Sequence, residues 1–245
     1  MTKMIKMDLY RFFRSASTWT ILFADIMLAF LSVMLVSTNK SIQIYSNVGE
    51  LLAAQINGGM IMILCAVAVI IFVSGKYKNG FIKNIANYLP RREMFVLPEI
   101  IVSFVACALY FFVYSICTIA AGAIFFGNTF IDFSFFAIIK LLIVQFILHW
   151  AFCCLMLLFY ILTGSTTFTV AAGLLMALKI LNGLYVLVER FTHFNVNQFM
   201  LDSNIFQIGM YSANSVYARA IVIGLIFLLS EIILLCMVIN KKEIK

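Results

Sequence analysis

The sequence predicts an all-α membrane protein: six transmembrane helices, an N-terminal amphipathic interfacial helix and both termini in the cytoplasm. Three observations predict it. Of the 245 residues 64% are hydrophobic and only 11% charged, whereas a soluble domain carries about a quarter charged residues. The apolar runs are continuous and about 20 residues long, the length that carries a helix across a hydrocarbon core. Lys and Arg gather in short polar stretches between those runs, as the positive-inside rule requires. A mean hydropathy of +1.10 leaves too little polar surface to face water on all sides. With 2 prolines and 12 glycines in the chain, long helices fit better than a loop-rich barrel. A barrel would alternate residue by residue over strands of about ten.

Residues 1–17 read as a helix lying along the interface. Met4, Ile5, Leu9, Phe12 and Phe13 supply its apolar side, while Lys3, Lys6, Arg11 and Arg14 face head groups. The first span covers residues 19–36, with Trp19 as an interfacial anchor. It follows a basic segment but lacks a small-residue cleavage site, so it reads as a retained span and not a signal peptide. The polar stretch 37–57 is expected outside, with 48–56 as a short surface helix.

The second span is 58–74, and the basic loop 75–93 leads to a third span over 96–126. At about 1.5 Å per residue that third run exceeds a ~30 Å core, so it tilts, breaks or protrudes. Residues 127–134 form an external turn, 135–162 the fourth span, 163–167 a short turn and 168–188 the fifth span. An external loop over 189–217 precedes the sixth span, 218–239. The whole chain, 1–245, thus reads as one membrane domain.

Charge placement orients it. Of the 17 Lys and Arg, 12 lie in residues 3–14, 76–92 and 241–245. An even number of spans puts all three clusters on one side, the cytoplasmic one. The external segments balance Lys40, Lys140, Arg190 and Arg219 against Glu50, Asp132, Glu189 and Asp202. This placement excludes nucleic acid as the reason for the net charge of +7, because no base-stacking or zinc pattern goes with it.

Chemistry-bearing motifs are sparse. The six cysteines, Cys65, Cys107, Cys117, Cys153, Cys154 and Cys236, all lie in apolar runs without C-x-x-C spacing and read as packing residues. His149 has no second ligand at metal-binding spacing. No H-E-x-x-H, G-x-S-x-G or paired aspartates appear, so no catalytic residue and no metal ligand is assigned. Ser74-Gly75-Lys76 is no phosphate loop: position 70 is Ile and position 77 is Tyr, where Gly and Ser or Thr are needed.

Residues 74–102 read SGKYKNGFIKNIANYLPRREMFVLPEIIV. This stretch resembles the first cytoplasmic loop of type-2 ATP-binding-cassette (ABC) exporter permeases, where a Gly precedes a T-I-K-N-like run and a Pro and Arg open the third span. Tyr77 to Asn84 and Pro90-Arg91-Arg92 match in order and spacing. The resemblance implies that Gly80, Phe81, Ile82, Lys83, Ile85, Arg91 and Arg92 couple to a cytoplasmic ATPase. It further implies a permease subunit for export of a hydrophobic or amphipathic substrate, such as a peptide toxin, a bacteriocin or a drug-like compound. The partners implied are ABC ATPase subunits and a second permease, the same chain or a paralogue. ATP and magnesium then sit on the ATPase, with no cofactor on this chain, in the cytoplasmic membrane of a bacterium.

Two departures stand out: Lys76 occupies the family's acidic position, and Phe81 the Thr position after Gly80. The first is expected to remove a salt bridge to the ATPase, so that Lys76→Glu would be tolerated or would strengthen docking. Independently of the resemblance, Phe81, Ile82 and Ile85 form an apolar ridge on a basic loop, suited either to a groove on a soluble partner or to head groups. The competing class is a stand-alone channel, sensor partner or assembly factor.

Asp25, Lys179 and Glu231 lie within spans, where a charge costs about 3 kcal/mol or more at mid-bilayer. Lys179 and Glu231 sit at similar depth, roughly 16 and 14 Å from the cytoplasmic ends of their spans at helical rise. They read either as a structural ion pair or as polar groups along a substrate route. Thr169, Gly173 and Ala177 recur every four residues, a small-residue stripe for internal packing or for a dimer face.

Overall fold

The structure is a computed structural model and describes residues 2–38, 45–78, 95–127 and 134–241. Among these the chain is helical throughout, with no strand. Helix α1, Thr2–Arg14, is amphipathic. It turns at Ser15 into α2, Ala16–Thr38. The corner is held from within: Thr18 Oγ1 donates to the Phe12 carbonyl at 2.6 Å, and Trp19 Nε1 to that of Phe13 at 2.8 Å.

Helix α3, Val48–Ile56, starts at Asn47, whose side chain accepts from the Glu50 amide, a standard N-cap. Its bounds match the short helix expected there, but it is not a surface helix. Leu51, Leu52 and Ile56 are fully buried against the neighbouring spans. Its apolar sequence, VGELLAAQI, seeks the bundle despite its polar flanks.

The long helices follow: α4, Met60–Lys78; α5, Val96–Phe126; and α6, Phe135–Thr163. Pro98 is tolerated in α5 because the first turn has no amide partners to lose. Gly164, in the left-handed region at φ 67°, ends α6, and Ser165 caps the next helix by accepting from the Phe168 amide. Helix α6 is the centre of the bundle, packed by α4 and α5.

The expected fifth span is broken. Helix α7, Thr166–Ala177, and α8, Ile180–Thr192, meet at a 65° bend. Lys179 stands at the break with φ 61°, left-handed without being glycine, a conformation that costs about 1–2 kcal/mol. A close approach accompanies the bend. Gly59, at φ 81°, lies so near the end of α7 that a Cβ there would stand 2.3 Å from the Ala177 carbonyl oxygen.

A 3₁₀ turn, Val196–Gln198, and the short α9, Leu201–Gln207, then lead to α10, Asn214–Lys241. Five helices, α2, α4, α5, α6 and α10, are long and apolar enough to cross a membrane, and the bent α7–α8 pair makes a sixth if counted as one span. The protein is a multi-pass membrane protein. The stripe Thr169, Gly173 and Ala177 is buried within the chain, with Gly173 against Met156 of α6. By contrast no side chain of α8 is buried.

Candidate functional site: a buried ion cluster at the stems of the basic loop

Helix α4 leads into the basic loop and α5 leads out of it. An acidic residue near a helix start and a basic one near a helix end are each favoured by the macrodipole. Glu99 in the first turn of α5 and Lys76 in the last turn of α4 follow that rule. The fold aims both inward. Lys76 Nζ lies 2.8 Å from Asp8 Oδ2 of α1 and 3.6 Å from Glu99 Oε1, and all three side chains are fully buried. Arg11 adds a longer contact, 3.7 Å from Asp8 Oδ1. Two carboxylates and two cations give a cluster with no formal net charge, the condition under which ions are buried at bearable cost.

Aromatic side chains close the cluster. Tyr77 packs edge-on against Tyr160 of α6 with ring centroids 5.7 Å apart. Phe12 meets Phe72 of α4 at 5.8 Å and Tyr110 of α5 at 6.5 Å. Three elements are thereby joined: helix α1 and the ends of α4 and α5 that flank the basic stretch. Lys76, which stands where the family pattern has an acid facing the ATPase, instead points its ammonium into the protein, where Asp8 and Glu99 already neutralise it.

The coupling residues named from the sequence, Gly80, Phe81, Ile82, Lys83, Ile85, Arg91 and Arg92, lie outside the described residues. No protein-family model matches the chain, and no curated protein matches it.

The structure does not bring Lys179 and Glu231 together. The exposed Lys179 ammonium stands 4.4 Å from the centre of the Phe206 ring, a cation–π contact at the break between α7 and α8. Glu231 is buried on α10 beside Cys153 and Cys154 of α6, and neither of its oxygens has a hydrogen-bond partner among the described residues. Asp25 is likewise buried and without a hydrogen-bond partner there, near Cys65 of α4 and Tyr110 and Tyr114 of α5. Equal depth of the two residues requires a straight fifth span, and the 65° bend removes that condition.

Sequence reasoning missed Asp8 and Glu99. A signal existed for both: Asp8 is the single acidic residue among the first 24, and Glu99 interrupts an apolar run directly after Pro98. It also missed the polar clasp at the opposite end. Gln145 Nε2 of α6 donates to Asn57 Oδ1 and to the Ile205 carbonyl, both at 2.9 Å, and Asn57 Nδ2 donates to the Ile208 carbonyl at 2.9 Å. This clasp turns 201–208 into a packed cap in which Asp202, Ser203 and Asn204 are buried. His149, one turn beyond Gln145, shares a 2.7 Å hydrogen bond with the Gln145 carbonyl through Nδ1.

Proposed function

We propose that this chain is the membrane-spanning subunit of an ATP-driven type-2 ABC exporter, and that the basic loop receives the movement of a separate cytoplasmic ATPase. One observation carries the reading: both stems of the loop are joined to helix α1 through a single buried lysine, Lys76. A loop that only contacts head groups needs no rigid base. A loop that transmits force does, because movement at a soft base would be absorbed before it reached the spans. The match of Tyr77 to Asn84 and Pro90-Arg91-Arg92 to the coupling loop of that family agrees with this mechanical role.

The rest of the proposal follows from what remains uncovered. Trp19, Phe23, Met27, Leu31 and Leu35 form an exposed apolar stripe on α2, and α8 adds Leu184, Leu187 and Phe191. A second permease, the same chain or a paralogue, can cover part of these faces. A route between two such faces would be apolar, which suits a hydrophobic or amphipathic cargo such as a peptide toxin, a bacteriocin or a drug-like compound. With six spans both termini lie in the cytoplasm, together with α1 and the loop, in the cytoplasmic membrane of a bacterium.

The deciding experiment is co-purification from the protein's own cells, with magnesium-dependent ATPase activity as the readout. The chain alone should hydrolyse no ATP. The wild-type chain should carry ATPase activity with it, and Phe81→Ala or Ile82→Asp should lose it. Truncating a docking anchor costs about 2 kcal/mol or more, roughly thirtyfold in binding. Equal ATPase recovery by wild type and both variants would leave a six-span protein of the channel or assembly class.

A further inference from the structure

Asn182, Tyr185 and Glu189 recur at helical spacing and so share one face of α8. That face is turned toward the protein. The Tyr185 hydroxyl donates to Asp202, 3.3 Å from each carboxylate oxygen, and the Ser203 hydroxyl donates to Asn182 Oδ1 at 3.2 Å. The Asn197 backbone amide donates to Glu189 Oε1 at 2.8 Å. The opposite face, Ile180, Leu184, Leu187 and Phe191, is apolar and points away from the chain, between 51% and 83% exposed. A helix on a water-facing surface shows the reverse order, with polar groups outward and apolar groups inward. The neighbours of α8 fix where it starts. The end of α7, at Ala177, lies against Gly59, directly before the first residue of α4. Helix α4 has 19 residues, about 28 Å at helical rise, and carries Lys76 near its other end. That length is close to the ~30 Å of a hydrocarbon core. Helix α8 thus leaves the bundle at the end away from the ion cluster, bent by 65° from α7.

We infer that α8 is an interfacial helix seated in the leaflet opposite the ion cluster, with Ile180, Leu184, Leu187 and Phe191 among the acyl chains. Two features select lipid over a second protein chain. Helices that pack on one another in a membrane use small residues to approach. The chain does so on α7, where Thr169, Gly173 and Ala177 are covered by the bundle, whereas the outward stripe of α8 has no small residue. The apolar surface also continues past the helix end into Phe194 and Phe199, whose rings stack 5.3 Å apart and stay 57% and 51% exposed. Leu and Phe on one side with polar groups on the other is the make-up of a helix that lies in an interface. Of the two uncovered faces, that of α8 goes to lipid, and that of α2 is left for the second permease. Through its three polar contacts α8 then holds the 201–208 cap at the membrane surface. The inference rests on the membrane class and not on an ATPase, so either reading can fail without the other.

The test is tryptophan fluorescence of the purified full chain in phosphatidylcholine nanodiscs. In a background of Trp19→Phe and Trp150→Phe, either Leu187→Trp or Phe191→Trp supplies the single probe. Unfolding at the temperature of the background shows that each probe variant is folded. Lipid brominated near the head group should quench either probe at least twofold. Lipid brominated near the chain end should quench it less, and iodide in the buffer should leave it unchanged. Iodide quenching without quenching by bromolipid would place the stripe in water and overturn the inference. Protection from both quenchers would overturn it in favour of a second copy or another protein on this face. Stronger quenching by chain-end bromine would make α8 the steep half of a span and would overturn it as well.

Discussion

Lys76 of α4 meets Asp8 of α1 at 2.8 Å, 68 residues away in sequence, and the pair is sealed from water on all sides. Removing one partner of such a pair leaves an uncompensated buried charge, at about 3–5 kcal/mol. Lys76→Ala should therefore lower the unfolding temperature of the purified protein sharply. Lys76→Glu should do worse, since it would gather three carboxylates in one buried site. This reverses the tolerance expected from the family pattern. A charge swap, Asp8→Lys with Lys76→Asp, should recover part of the loss. Wild-type unfolding in Lys76→Glu would show that the cluster does not form.

Lys179→Ala should leave stability within about 1 kcal/mol of wild type, because an exposed cation–π contact is worth about 0.5–1 kcal/mol. Glu231→Gln should be neutral or stabilising, since it keeps the shape of a buried carboxyl that has no hydrogen-bond partner among the described residues and removes its capacity to ionise. The double variant should equal the sum of the two singles. A coupling energy above about 1 kcal/mol in this cycle would restore the pair.

Gly59→Ala meets two obstacles together, the φ of 81° and the Ala177 carbonyl oxygen 2.3 Å from the new methyl. A non-glycine residue in that conformation costs about 1–3 kcal/mol before any clash. The variant should unfold at a lower temperature and expose the α7–α8 bend to protease. Gly183→Ala, in open space on α8, is the matched control and should behave as wild type.

The cap should respond to pH through Asp202. Burial raises its carboxyl above the usual carboxylate range, outweighing the Tyr185 hydroxyl and nearby amides that favour the charged form. A raised acid contributes stability that is complete below its unfolded pKa and is lost as pH rises through the folded one. Hydrogen exchange over 201–208 should therefore quicken as pH rises through that window, after correction for intrinsic exchange. Asp202→Asn should flatten the dependence. A slope unchanged in the variant would assign the effect to another group.

Topology has its own check. Single cysteines, in a variant lacking the six native ones, should be labelled from the cytoplasm at positions 3, 83 and 242 and from outside at 45, 130 and 200. Labelling of position 83 from outside intact cells would overturn the orientation and the coupling role with it.

Helix existence was largely legible in the sequence because lipid imposes a simple rule: a long apolar run must satisfy its backbone internally. The third span was read as residues 96–126, the bounds α5 has. The break at Lys179 was not legible, since no Pro or Gly stands at 178 or 179; the bend adjoins Gly59, more than a hundred residues earlier. The burial of α3 escaped for a related reason. Its partners lie on spans further along the chain, and only the space left by Gly122 lets Val48 approach α5. Asp8 and Glu99 were visible as exceptions in their local pattern, but pairing them through Lys76 needed the third dimension.

The ion cluster also sets an order of events during synthesis. Asp8 leaves the ribosome before Lys76, which follows 68 residues later, and Glu99 comes a further 23 residues on. At about 5–20 residues per second, roughly five to twenty seconds separate Asp8 from the last member of its cluster. During that delay helix α1 cannot complete the cluster, and its carboxylate stays without its buried partners. It can lock only when the third long helix is being inserted, so α1 reaches its final seat after segments that are made later than it.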